Sequence, residues 1–319
     1  MGTSIATCLL AAGHPVLGID VDSRKRRIAP RRIRAFLEEM NREGLWAREP
    51  ATAARRFTAA GDYTALAPAG IVIESITENV EAKRQVIARV EAAVGPAAII
   101  GSNTSAIPIS LLQDGAARPE RLLGIHWAEP AHVTRFMEII CGRRTDPRNA
   151  ERVRELSRQW GKDASVVRRD IRGFISNRCW YALLREAFHL VEAGYATIED
   201  VDRSVRNDLG YWTTFCGPFR YLDLTGIPAY AAVMKDLLPE LSRSTKVPRL
   251  IGDLVKSGAQ GVANAKGFYR YTPASARRWE KHFLEFMYDV RALALKWAGP
   301  ERTAANDSAP QRRRKFPRP

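Results

Sequence analysis

The chain has 319 residues, of which 45% are hydrophobic and 27% are charged, and its formal net charge at pH 7 is +15. These proportions are typical of a globular protein with room for two domains. No apolar run approaches 18 residues, which excludes a chain that crosses a membrane through an apolar helix. The first residues lack a positively charged start and a small-residue cleavage site, so we expect no signal peptide and a cytoplasmic location.

The cysteines are far apart in the sequence, at Cys8, Cys141, Cys179 and Cys216. No Cys-x-x-Cys pair occurs among them. This spacing fits reduced thiols of the cytoplasm better than disulfides or a zinc site, so no metal is expected.

The positive charge is concentrated in two runs, residues 23–34 and residues 311–319. Such runs usually form a solvated helix face and a disordered tail. Nucleic acid is not the expected partner, because no aromatic interleaving, zinc pattern or reading motif accompanies the charge. Binding of nucleic acid through the tail is kept as an alternative. A small molecule with several phosphates would fit the first run equally well.

The amino-terminal segment has part of a dinucleotide-binding pattern. Residues 2–12 are rich in helix formers, Gly13 is placed to end the helix, and a β-branched run then ends at Asp20. In a βαβ dinucleotide-binding unit, an acid at this point accepts hydrogen bonds from the adenine ribose. The first strand and the glycine-rich turn that open such a unit are absent from this pattern, and Gly2 corresponds only to the last glycine of that turn.

Strands and helices alternate through the rest of the first half. Apolar runs predict strands at residues 70–75, 97–102, 121–127 and 135–142, and helical spacing predicts helices at residues 24–46 and within residues 76–94. This alternation predicts an α/β fold with a Rossmann-type doubly wound sheet, apparently without its first strand, over residues 1–168. Ligands bind beyond the carboxyl ends of the strands in such sheets, and Asn79, Asn103 and His126 stand near those ends.

The second half shows helical spacing only. We predict helices at residues 174–193, 229–238, 249–257 and 276–297, and a capping box formed by Thr197 and Asp200 opens another. Residues 169–298 are therefore expected to form an all-helical domain. Residues 299–319 have no apolar pattern and are expected to be a disordered basic tail.

Glu138 is the one carboxylate in the apolar segment FMEII, and His126 ends an apolar run shortly before it. A buried ionised glutamate needs a close hydrogen-bond donor, and His126 is the natural candidate. A histidine held by a carboxylate on one ring nitrogen keeps the other nitrogen free to act as a base. The pair is therefore suited to removing the proton of an alcohol.

Together, the motifs SNTS, GIHWAEP, FMEII and GFISNR resemble those of the 3-hydroxyacyl-CoA dehydrogenase family, and the resemblance extends over residues 2–271. The carboxyl half also resembles the branch that contains lambda-crystallin and L-gulonate 3-dehydrogenase. The resemblance implies that His126 is the catalytic base and that Glu138 orients it. It further implies that Ser105 and Asn177 hydrogen-bond the substrate oxygen.

The resemblance implies NAD as cofactor, and the residues at the matching cofactor positions are Gly2, Asp20, Glu78, Lys83 and Asn103. The acid at the ribose position favours NAD over NADP, because a carboxylate would repel a 2′-phosphate. It also implies a homodimer that associates through the helical domain.

Four residues are candidates for substrate binding. Arg24 and Lys25 lie on the basic helix where the acyl-CoA enzymes receive the phosphates of coenzyme A. Glu129 replaces the usual asparagine of the histidine motif, and it either influences His126 or points away and selects a different substrate. Arg172 stands where the acyl-CoA enzymes usually have proline, and it either binds a substrate carboxylate or caps a turn.

The leading expectation is an NAD-dependent oxidoreductase of fatty acid metabolism that interconverts an L-3-hydroxyacyl-CoA and its 3-ketoacyl-CoA. One alternative is the same chemistry on a CoA-free 3-hydroxy acid such as L-gulonate or a carnitine-like compound. The other is a non-catalytic, truncated or crystallin-like relative.

Overall fold

The computed structural model describes residues 1–297, and the predicted basic tail lies outside the described residues. These residues divide into two compact units, residues 1–184 and the residues from 185 onward. The strands are β1 (Val16–Ile19), β2 (Phe57–Ala60), β3 (Ile71–Glu74), β4 (Ile99–Ser102), β5 (Leu122–Trp127), β6 (Phe136–Ile140) and β7 (Asp163–Val167).

The helices of the first unit surround these strands and are α1 (Gly2–Ala11), α2 (Ser23–Arg42), α3 (Pro50–Ala54), α4 (Val80–Ala93), α5 (Ile109–Gln113) and α6 (Pro147–Gln159). The remaining helices are α7 (Ser176–Glu192), α8 (Ile198–Asn207), α9 (Leu209–Thr213), α10 (Pro218–Thr225), α11 (Ile227–Leu237), α12 (Arg249–Lys256) and α13 (Pro273–Trp297).

The first unit has the predicted α/β architecture. Five strands form one sheet in the order β3-β4-β5-β6-β7, and β1 pairs with β2 in a separate two-stranded sheet. All neighbouring strands are parallel except β5 and β6, which are antiparallel. The alternating pattern of the sequence is thus confirmed as a Rossmann-like sheet followed by helices.

The sheet is divided between β1 and β3. Within the described residues, β1 pairs only with β2 and β3 pairs only with β4. In the doubly wound order 3-2-1-4-5-6, a single strand lies between the two strands that correspond to β1 and β3. The sequences of β1 and β3 are both apolar. All four residues of β1 are only half-buried, whereas every residue of β4 and β5 is buried. The division therefore lies at the position of the strand that the sequence pattern lacks.

Helix α1 packs beside both sheets. Ile5 and Cys8 belong to the apolar cluster of the five-stranded sheet. Leu10 packs with Ile33 and Leu37 of α2, in the cluster that includes the start of β2. The amino terminus of α1 is fixed by this double contact.

The second unit contains helices α8 to α13, which confirms the predicted helical domain. At the start of α8 the backbone N–H of Asp200 donates to the Thr197 hydroxyl at 3.1 Å, and that hydroxyl donates to the Asp200 carboxylate at 2.8 Å. Thr197 is therefore the N-cap that the sequence predicts, but the Asp200 carboxylate accepts the hydroxyl of Thr197 in place of its backbone N–H, so the second hydrogen bond of a capping box is not found in the described residues. None of the helices described here has the length and apolar character needed to cross a membrane.

Gly101 provides a test of the packing between β4 and β5. A Cβ atom at this position would lie 2.6 Å from Cγ1 of Ile125, which is fully buried. We expect Gly101→Ala to lower the free energy of unfolding by about 1–3 kcal/mol, because the well-packed sheet has to move to accept a methyl group. Urea unfolding measures the change. Gly70→Ala is the matched control, since no atom lies within 4 Å of its added Cβ, and an equal loss in both variants would contradict the packing argument.

Candidate active site

The centre of the site is the pair formed by His126 and Glu138. These residues are direct partners in the antiparallel register of β5 and β6. Nδ1 of His126 lies 3.0 Å from Oε2 of Glu138, and the two residues are 6% and 1% exposed. The register therefore brings together the two side chains that the sequence analysis singled out.

The other oxygen of Glu138 is held by the start of α7. Oε1 accepts the backbone N–H of Ile175 at 3.0 Å and the backbone N–H of Ser176 at 2.9 Å. The N–H groups at a helix amino terminus have no partner within the helix and favour a negative charge. Burial alone would raise the pKa of Glu138, but the hydrogen bonds from His126, Ser176 and Ile175 outweigh it and lower the pKa below its ordinary value.

Two phenylalanines contact the ring of His126. The rings of Phe136 and Phe174 meet it edge-on, with centroids at 5.3 Å and 5.7 Å. Phe174 is buried and has a φ of +53°, after Gly173 with a φ of +80°. This left-handed turn directly precedes the two N–H groups that bind Glu138. Sequence reasoning did not assign a role to either phenylalanine, although Phe174 is part of the motif GFISNR.

Ser105 and Asn177 also come together. Nδ2 of Asn177 donates to the backbone oxygen of Ser105 at 2.7 Å. Asn177 directly follows Ser176, so the start of α7 contacts both Glu138 and the SNTS loop. The four predicted catalytic residues thus form one connected group, and the contact of Ser105 and Asn177 with a substrate oxygen stays a prediction.

Asn103 links the SNTS loop to the strand that carries His126. Its Oδ1 accepts the backbone N–H of Trp127 at 2.8 Å. The side chain thereby fixes the exit of β4 beside the end of β5. The contact of Asn103 with the cofactor stays a prediction. The amide nitrogen Nδ2, on the other side of the side chain, is the atom that would make it.

Lys83 is more deeply placed than the sequence suggested. Its side chain has no exposed surface, and Nζ lies 2.8 Å from Oε1 of Glu74 and 3.6 Å from Oε2 of Glu78. Its predicted role in the cofactor site stays a prediction; besides the two carboxylates, Nζ also donates to the backbone oxygen of Ile76 at 3.3 Å. Glu74 was missed in the sequence, although it ends the apolar run IVIE as conspicuously as Glu138 stands in FMEII.

Asp20 and Gly2 occupy positions that fit a dinucleotide. Asp20 follows β1, its carboxylate is 38% exposed, and Oδ1 accepts the N–H of Asp22 at 2.9 Å. Gly2 is exposed at the amino terminus of α1, where a helix favours an anion. A carboxylate suits the hydroxyls of a ribose, and the helix terminus suits a phosphate.

The candidate substrate residues lie at the surface. Arg24 and Lys25 are exposed at the start of α2, and Nζ of Lys25 is 3.9 Å from the Asp20 carboxylate. Arg172 is exposed and precedes Gly173, whose N–H bonds to the oxygen of Ala106 at 3.3 Å. The backbone of Arg172 is therefore next to the SNTS loop.

Glu129 is half-exposed, and its carboxylate lies 3.0 Å from the amine of Met1. No hydrogen bond or ion pair between Glu129 and His126 is found in the described part of the chain. Among residues 1–297 there is also no group of three or more His, Cys, Asp or Glu side chains that could hold a metal ion.

The fold and the site define a dinucleotide-dependent oxidoreductase. Residues 1–171 match the NAD binding domain of 3-hydroxyacyl-CoA dehydrogenase, and residues 173–271 match the C-terminal domain of the same family. The chain belongs to the 3-hydroxyacyl-CoA dehydrogenase family, and its cofactor is NAD.

Two kinds of relative are similar over most of the chain. The 5-formyl-3-hydroxy-2-methylpyridine 4-carboxylate 5-dehydrogenase of Mesorhizobium japonicum is 33% identical over 92% of this chain and 94% of its own length. A crystal structure of an enzyme of this name, described as an NAD⁺-dependent dismutase, matches with a TM-score of 0.84 at 31% identity, over 94% of this chain and 96% of that one. A probable 3-hydroxybutyryl-CoA dehydrogenase of Bacillus subtilis is 30% identical over 85% of this chain and 94% of its own length.

The lowered pKa of Glu138 predicts how acid affects the fold. The ionised carboxylate contributes stability that is present above its ordinary pKa of 4.5 and is lost as the pH falls through the lower pKa of the folded state. Because glutamine cannot ionise, the difference in free energy of unfolding between wild type and Glu138→Gln should shrink between pH 5 and pH 3. Urea unfolding at several pH values measures this difference.

The control is Glu81→Gln, which removes a carboxylate from an exposed side chain of α4. If the difference between wild type and Glu138→Gln stays constant as the pH falls, or shrinks no more than the difference for Glu81→Gln, the ionised carboxylate does not contribute as argued.

Proposed function

We propose that this protein transfers a hydride between NAD and a carbon that carries a hydroxyl group, with His126 as the base and Glu138 as the residue that orients it. The observation that carries the proposal is the buried contact of 3.0 Å between Nδ1 of His126 and a carboxylate anchored by the start of α7. A histidine with a purely structural role would not need a partner carboxylate that is held by two further backbone N–H groups.

His126 is arranged to move a proton at Nε2. Nδ1 faces Glu138, and within residues 1–297 no hydrogen-bond partner of Nε2 is found. With Nδ1–H donating to the carboxylate, Nε2 is free to take the hydroxyl proton, and Glu138 stabilises the imidazolium that forms. The chemistry that NAD supplies when bound is the acceptance of a hydride from the same carbon. The hydroxyl of Ser105 stabilises the oxygen that becomes a carbonyl.

The favoured substrate is a small hydroxy compound, or an aldehyde that reacts as its hydrate, with its own carboxylate and without coenzyme A. Support comes from the pyridine-carboxylate dehydrogenase, which is similar over more of this chain than the hydroxybutyryl-CoA enzyme is. Arg172 supports it as well, because its backbone lies next to the SNTS loop and a guanidinium is suited to a carboxylate.

An L-3-hydroxyacyl-CoA is the second candidate. The exposed cations Arg24 and Lys25 beside Asp20 favour it, since they would attract the phosphates of coenzyme A. With this substrate the protein would act in fatty acid metabolism.

Association into a dimer through the helical domain also stays a prediction. It is supported by large apolar side chains that are exposed in the second unit, including Tyr211, Phe215, Phe219, Trp279, Phe283 and Phe286.

His126→Asn tests the reaction itself. We expect kcat to fall by about 10²–10⁴-fold, because the variant lacks the general base, while the affinity for NADH, followed by its fluorescence, stays the same. The control is His282→Asn, which changes an exposed histidine of α13 and should keep full activity. Equal activity of both variants would rule out His126 as the base, and a wild-type protein that fails to bind NADH would favour the non-catalytic alternative.

Arg172→Ala tests the substrate. With 5-formyl-3-hydroxy-2-methylpyridine 4-carboxylate and NAD we expect KM to rise about 10–100-fold, since a charge-assisted hydrogen bond contributes about 1.5–3 kcal/mol. Arg24→Glu is the matched variant and should leave this KM unchanged.

The same two variants are assayed with acetoacetyl-CoA and NADH. A raised KM in Arg24→Glu, together with an unchanged KM in Arg172→Ala for either substrate, would overturn the preference and support the acyl-CoA enzyme.

A further inference from the structure

One carboxylate oxygen accepts three hydrogen bonds from the SNTS loop and the residue that follows it. Oε1 of Glu78 accepts the backbone N–H of Ser105 at 2.9 Å and that of Ala106 at 3.0 Å. It also accepts the hydroxyl of Thr104 at 2.5 Å. On the other side of the loop, Asn177 donates to the backbone oxygen of Ser105 at 2.7 Å. Ser105 is therefore fixed through both its N–H and its carbonyl group.

Glu78 is connected to the buried interior of the sheet by Lys83. The ammonium lies 3.6 Å from Oε2 of Glu78, and it donates to both oxygens of Glu74 at 2.8 Å and 3.0 Å. Glu74 in turn accepts the hydroxyl of Ser102 at 2.6 Å and the N–H of Ile76 at 2.6 Å. Since Glu74 ends β3 and Ser102 ends β4, the carboxylate that holds the loop is tied to two neighbouring strands.

The backbone of Ser105 is held by hydrogen bonds, but its hydroxyl has different surroundings. Ser105 is exposed, and no hydrogen-bond partner of its Oγ is found in the described part of the chain. A donor with a fixed backbone and a free hydroxyl is the arrangement that stabilises a developing charge without reorganisation during the reaction.

We propose that Glu78 is a positioning residue, which acts on the reaction by holding the backbone of Ser105. This inference rests on the proposed function, since it takes the Ser105 hydroxyl as a contact of the substrate oxygen. This role comes in addition to the place in the cofactor site that the family resemblance implies for Glu78. Burial raises the pKa of Glu78, and the donors Thr104 and Ala106 together with Lys83 outweigh it, so the pKa is lowered and the carboxylate is charged at neutral pH.

A double-mutant cycle with Glu78→Gln and Ser105→Ala tests the proposal. A glutamine oxygen accepts these hydrogen bonds more weakly because it carries no charge, so we expect kcat at saturating NAD to fall about tenfold. In the Ser105→Ala background the same change at Glu78 should have no further effect on kcat, because the hydroxyl that it positions is gone.

Two outcomes would overturn the proposal. A raised KM for NAD with an unchanged kcat would make Glu78 a cofactor contact, and losses in kcat that simply add in the double variant would make its effect independent of Ser105. Glu81→Gln, an exposed carboxylate on α4 next to this network, controls for the loss of one negative charge and should leave both constants unchanged.

Hydrogen exchange separates this inference from the proposed function. The amides of Ser105 and Ala106 should exchange faster in Glu78→Ala than in wild type, while the amides of β5 and β6 keep their protection. This result is expected even if the protein has no dehydrogenase activity. In that case the proposed function is wrong, but the inference that Glu78 holds the loop remains supported. Unchanged exchange at Ser105 and Ala106 would show that Glu78 does not hold them.

Discussion

The arrangement of the site depends on one buried carboxylate. Glu138 receives His126 on one oxygen and two backbone N–H groups of the start of α7 on the other. An ionised carboxylate at 1% exposure is costly to bury unless its lone pairs are occupied. None of these donors lies on β6, the strand that carries Glu138. The hydrogen bonds that stabilise its charge therefore also bring the parts of the site together. The electrostatic requirement of one side chain therefore fixes the relation of β5, β6 and α7.

The antiparallel pairing of β5 and β6 makes this arrangement specific. Side chains of a strand alternate between its two faces, so a register shift of one residue would move Glu138 to the opposite face from His126. The residues beside the pair, Ile125 and Met137 among them, are buried in the apolar cluster of the other face. A shifted register would expose these residues and bury the carboxylate without its donors. The packing of the sheet and the chemistry of the site thus favour the same register.

The sequence predicted those features that depend on composition within a short segment. The apolar runs of β3 to β6, the N-cap at Thr197 and the carboxylate in FMEII are of this kind. The strands β2 and β7 were missed, because FTAA is short and weakly apolar and DASVV has exposed and half-buried positions in alternation. Helix α6 was also missed, since PRNAERVRELSRQ has few apolar residues to show a period.

Roles that depend on tertiary contacts were harder to predict than residue positions. The sequence indicates that Glu78, Lys83 and Asn103 belong near the site, but it does not show which atoms they bind. In the structure Lys83 lies between two carboxylates, and Asn103 holds the N–H of Trp127. Glu74 and Trp127 lie on strands, and Glu78 precedes the helix that carries Lys83, so the pattern within one segment does not show which atoms these side chains bind.

The buried and exposed parts of the site serve different requirements. His126, Glu138 and the backbone of Ser105 are held by hydrogen bonds from strands and a helix terminus, which suits a proton transfer whose geometry has to be the same for any alcohol. Arg24, Glu129 and Arg172 are exposed side chains on the surrounding loops and on α2, where a substitution disturbs few contacts. Differences in substrate within one family can therefore arise from these charges while the proton-transfer geometry stays fixed. The relatives of this chain include both a pyridine-carboxylate dehydrogenase and a hydroxybutyryl-CoA dehydrogenase, so proteins of similar sequence are named for different substrates.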